Sequence, residues 1–72
     1  MNKQLNRFGR LRLTHLENQR QGLLKHMEEE GLLEAHLLAV QRRAYMEYEQ
    51  LLMAGMEEQA AEAFIIRDIL QE

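Results

Sequence analysis

The sequence predicts a small all-α protein of three helices with the second as its spine. It contains no proline, and leucine, glutamate, glutamine, alanine and arginine dominate it, all good helix formers. Isolated glycines at 9, 31 and 55 divide stretches in which apolar residues recur at helical spacing. The expected helices cover about 15–30, 32–54 and 56–71. A basic arm over residues 1–13 precedes a single helical domain over 14–72.

The first helix carries a start signal. Thr14-His15-Leu16-Glu17 fits a capping box, in which Thr14 accepts from the Glu17 backbone N–H and Glu17 reaches back to Thr14. Leu16, Leu23, Leu24 and Met27 supply a narrow apolar face, and Gly31 suits the left-handed position that ends a helix. Glu28, Glu29 and Glu30 sit badly at that end, where the helix dipole disfavours anions, but well ahead of the next helix.

The second helix is expected to be about 35 Å long. Leu33, Leu37, Val40, Ala44, Tyr48 and Leu51 form one stripe, which Leu38, Tyr45 and Leu52 widen enough for two partner helices. Gly55 closes this helix, and Glu57 and Glu58 open the third. There Met56, Ala63, Ile66 and Leu70 form the expected face, with Ile65 and Ile69 beside it and Phe64 on the other side.

Two apolar features exceed what three helices can cover. Ala35, Ala39, Met46 and Met53 make a thin second seam on the spine, and "AFIIRDIL" is apolar nearly all round. A 72-residue chain buries only about 60% of its unfolded surface, and this one has no cysteine to staple it. Ala35, Ala39, Met46, Met53, Phe64, Ile65, Ile66, Ile69 and Leu70 are therefore candidate interface residues, for a homo-oligomer or a protein partner. No apolar run reaches the roughly 20 residues of a membrane span. The N-terminal stretch lacks a secretory signal's apolar core, so a cytoplasmic protein is expected.

Charge divides the chain. Residues 1–25 hold six basic groups against one acid and residues 26–72 three against eleven, so +5 and −8 combine into the net −3. Lys3, Arg7, Arg10 and Arg12 are thus candidate nucleic-acid contacts, aided by Phe8. The alternative, which we prefer, pairs Arg10 and Arg12 with the acidic helices and packs Leu11 and Leu13 on the bundle.

The segment around Gly31 is a poor helix-turn-helix. Met27 stands where a small residue is needed, Glu30 where an apolar one is, and the helix to be read into DNA opens with "LLEAHLLAV".

Catalysis has little to work with. There is no Cys or Ser, Thr14 is assigned to a cap, and no glycine-rich phosphate loop occurs. His26, Glu30 and His36 could approach one another across the Gly31 turn, but capping or solvated roles suit them better than zinc. No enzyme, cofactor, metal or small-molecule substrate is expected.

The spacing Gly9, Leu11, Arg12, Leu16, Arg20, then Gly31, Leu33, His36, Leu37 and Ala44, resembles the transposon-encoded TnpV-type proteins of bacterial mobile elements. The likeness spans about residues 8–53. His15 stands where that family tends to have tyrosine, and the tryptophan-bearing C-terminal segment of longer members is missing. The resemblance implies an accessory protein without catalytic residues, in which Gly31, His36 and Leu37 form a structural unit at the interhelix turn.

The function expected is therefore that of a non-enzymatic accessory protein docking through apolar helix faces. The alternatives are a regulator using the basic arm on nucleic acid, and an acidic inhibitor of a nucleic-acid-binding protein.

Overall fold

A computed structural model describes residues 4–71, and these are helical throughout apart from caps and turns. Four helices replace the expected three: α1 (Arg7–Gln19), α2 (Gln21–Glu29), α3 (Leu33–Met53) and α4 (Glu58–Leu70). They form a body of 42 × 21 × 16 Å.

The first correction concerns where α1 begins. Asn6, in extended conformation, caps the helix: its Oδ1 accepts from the backbone N–H of Phe8 at 2.9 Å and of Gly9 at 3.1 Å. Two of the four orphan donors of a helix start are thereby satisfied. Thr14 and Glu17 therefore lie inside α1, on its exposed side, and form no capping box. Most of the supposed arm is helix. Phe8, Arg12 and Leu16 recur four residues apart and are all buried. An arginine in the middle of that stripe conceals it from a reading based on apolar periodicity.

The chain leading into α1 is also held. The Gln41 side chain of α3 accepts from the Asn6 backbone N–H at 2.8 Å and donates to the Gln4 carbonyl at 2.9 Å. Gly9 passes so close that a Cβ there would collide with the Gln41 side-chain oxygen.

The second correction is a break at Arg20, with φ −137° and ψ 53°, in the middle of the expected first helix. Gln21 turns its side-chain amide back to the Glu17 carbonyl at 3.1 Å, supplying a donor to the last turn of α1. Gly22 follows immediately, and glycine costs a helix about 1 kcal/mol relative to alanine.

Both later turns are Schellman motifs. Gly31 has φ 70°, its N–H donates to the Glu28 carbonyl, and the Leu32 N–H donates to Met27 at 2.8 Å. Gly55 has φ 98°, with the same pair of bonds from Gly55 to Leu52 and from Met56 to Leu51, each 3.0 Å.

The spine α3 is shared by two cores. Leu33 and Leu37 join Leu5, Leu16 and Met27 at one end. Ala44 and Tyr48 join Phe8, Ala61, Ile65 and Ile69 at the other. Phe8 meets Tyr48 edge-on at 5.8 Å and Tyr45 at 6.2 Å, geometries favoured by aromatic quadrupoles.

A third correction follows for α4. Its buried face is Ala61, Ile65 and Ile69, whereas Ala63 and Leu70 of the expected face are exposed and Ile66 is half-buried. Ile65 and Ile69 are thus core, not interface. A helix apolar nearly all round gives periodicity no direction. The observed face packs with Phe8, Ala44 and Tyr48, and the polar contacts of Arg7 with Glu62 and of Arg12 with the Ile69 carbonyl lie beside it.

Candidate functional site

Two regions could carry function: the N-terminal arginines with the cleft beside them, and the apolar side chains left outside the cores. Lys3 falls outside the described residues. Arg10 is exposed on α1. Arg7 lies 3.3 Å from Glu62 and sits over the rings of Phe8, at 4.8 Å, and Tyr48, at 5.1 Å. An exposed pair of this kind contributes at most about 1 kcal/mol, but it orients the guanidinium toward α4.

Arg12 is different in kind. It is only 7% exposed, so it is not placed to touch a phosphate backbone and is corrected from nucleic-acid contact to interior residue. Its Nη1 donates to the Ile69 carbonyl at 3.0 Å and its Nε donates to His36 Nε2 at 3.2 Å. The Ile69 carbonyl belongs to the last turn of α4, where carbonyls lack intrahelical donors and cations are favoured by the dipole. One side chain on α1 thus ties together α3 and the end of α4. As the acceptor, Nε2 is the unprotonated nitrogen of the His36 ring.

Beside this junction is a cleft of about 100 Å³ bordered by Arg43, Glu47 and Asp68. Sites for small organic ligands usually occupy about 300–1,000 Å³. Among the described residues, no three His, Asp or Glu side chains converge to hold a metal ion. His36 faces Arg12 across the core, while His26 is exposed on α2.

The apolar surface is more extensive. Ala35, Ala39, Met46 and Met53 all lie exposed on the side of α3 away from the cores, Met46 at 57% and Met53 at 86%. Phe64, 51% exposed, and Leu70 flank the outer side of α4. Ile66 lies in a shallow depression with Arg7, Phe8, Leu11 and Glu62. Leu32, Tyr45 and Met56 are exposed as well. Sequence reasoning missed Leu32 and Tyr45 because it counted both toward the spine or its start.

Sequence reasoning also missed Asn6 and Gln41, the two residues that fix the entry chain. Asn6 was legible as an N-cap type, but it lacks the Glu or Gln three residues later that marks a capping box. Gln41 gave no signal, since its partners are backbone groups 35 and 37 residues away.

Compared with known proteins, the chain matches no family model, no curated protein and no solved structure.

Proposed function

We propose that this is a non-catalytic association protein, which works by docking its exposed apolar helix faces on a protein surface. The observation that carries this reading is the pair of unpartnered faces, Met46 and Met53 on α3 and Phe64 and Leu70 on α4. Burying a side chain of this size completely gains about 1.5–3 kcal/mol, so four exposed ones represent a substantial driving force for contact. The small cleft beside Arg12 supports a non-enzymatic reading, because two of the polar side chains lining it, Arg12 and His36, are engaged with each other in joining helices. Its resemblance to TnpV-type proteins, through residues such as Gly9, Arg12, Gly31 and His36, makes a bacterial mobile element and the cytoplasm the setting we propose. Among the described residues no helix is long and apolar enough to cross a membrane.

Photo-cross-linking tests the reading. With benzoyl-phenylalanine at Met53 or Phe64, irradiation of cells containing the full chain should give discrete adducts. The same group at Asn18, exposed on α1, should give none. If both apolar positions yield only the monomer band seen for Asn18, the association reading is wrong.

A further inference from the structure

We infer that the outer face of α3 is a self-complementary seam on which a second copy of this chain packs antiparallel, about a two-fold axis at Met46. The inference rests on the association reading and names its partner.

Ala35, Ala39, Arg42, Met46, Glu49 and Met53 are separated by alternating steps of four and three residues, and all six are exposed. That alternation keeps a row of side chains on one side of a helix, as a pairing seam requires. A groove beside the middle of this row, at Ala39, Arg42 and Met46, is completed by Arg43, Glu47 and Gln50, all from α3 itself. No other element of the described chain enters it.

The order of residues along the row selects the partner. In an antiparallel two-fold pair, a residue a given number of positions before Met46 lies opposite the one as far after it. Ala39 and Met53 are each seven positions from Met46. The long Met53 side chain therefore meets the small partner's Ala39, and the same contact repeats on the other side of the axis. Arg42 lies four positions before Met46 and Glu49 three positions after it.

At 100° per residue, Arg42 and Glu49 fall within about 20° of each other on the helix. They therefore share a flank, and Arg42 faces the partner's Glu49 twice in the dimer. A parallel two-fold pair would instead set this flank of one helix against the opposite flank of its partner, separating Arg42 from the partner's Glu49, and would put Met53 against Met53. Opposite charges of this kind chiefly decide register and orientation. A seam of one helix pair falls below the standard interface size, so a dissociation constant on the order of 10 μM is expected.

Sedimentation equilibrium on the full chain, from about 1 to 300 μM, tests this. The wild type should follow a monomer–dimer equilibrium. Arg42→Glu and Glu49→Arg should each weaken it at least tenfold, and the double reversal should return it to within about threefold of wild type. Met46→Glu, which sets two carboxylates together on the axis, should also give monomer; it remains decisive if a charge reversal disturbs folding as judged by circular dichroism.

A wild type that stays monomeric to 300 μM overturns the inference. So does a dimer that neither Arg42→Glu, Glu49→Arg nor Met46→Glu weakens. A monomer that still cross-links through Met53 to a different protein removes the second copy as partner and leaves the association reading standing.

Discussion

Truncating Arg12 to alanine should be far more damaging than truncating any neighbouring arginine, because Arg12 is the only one of the three in α1 that is buried. The substitution removes the donor to the Ile69 carbonyl at 3.0 Å and the donor to His36 Nε2 at 3.2 Å. Hydrogen bonds from charged groups contribute about 1.5–3 kcal/mol each. The adjoining cleft admits some water to the orphaned acceptors, which favours the lower end, so a loss of about 3 kcal/mol is expected.

A chain of this length has a total stability of roughly 4–10 kcal/mol. With a urea slope of about 1 kcal/mol per molar, the midpoint should fall by about 3 M. The assay is urea denaturation followed by helical circular dichroism, with every variant at one protein concentration because association shifts apparent stability. Arg10→Ala should stay within about 0.5 M of wild type. Arg12→Lys, which keeps the charge but loses the fork, should recover less than half the loss. If Arg12→Ala unfolds within about 0.5 M of wild type, the junction between α1, α3 and α4 is not what holds the bundle together.

Other substitutions test the remaining parts of the fold. Asn6→Ala should cost about 1 kcal/mol by leaving two helix-start donors uncapped, while Thr14→Ala in the exposed interior of α1 should be neutral or slightly stabilising; thermal melts that rank them the other way would restore Thr14 as the cap. Gly55→Ala should destabilise by about 1 kcal/mol or more, because φ 98° suits only glycine, whereas Gly22→Ala, where an added Cβ meets nothing within 4 Å, should gain about 1 kcal/mol. Leu37→Ala, at a side chain with 0% exposure, should lose about 2–5 kcal/mol in the same denaturation assay.

The helical class and the long spine were legible because α3 repeats its buried positions, Leu33, Leu37, Ala44 and Tyr48, at spacings a helix imposes. The turns were legible at Gly31 and Gly55, where the backbone needs a left-handed residue. The start of α1 was hidden by chemistry: Arg12 occupies a core position and satisfies its guanidinium with distant groups, a fact that only tertiary structure supplies. Arg20 divides α1 from α2 without a Gly or Pro at the break, and a side-chain amide closes the gap. The rotation of α4 could not be read from an all-round apolar helix. Of the proposed interface, Ile65 and Ile69 are core, while Ala35, Ala39, Met46 and Met53 remain outside. The spacing of that last group along α3 gives the seam its two-fold register.

The seam is tested most directly by a distance between two copies. The chain has no cysteine, so a single cysteine placed at exposed Ala35 can carry a nitroxide spin label. Ala35 lies eleven residues before Met46, about 16 Å along the helix, which sets it about 33 Å from its mate in the antiparallel pair. Double electron–electron resonance on the labelled full chain should give a distribution centred near that value. A parallel pair would give about 10 Å, the spacing between packed helices. Either that short distance or the absence of dipolar modulation at concentrations up to 300 μM would contradict the account.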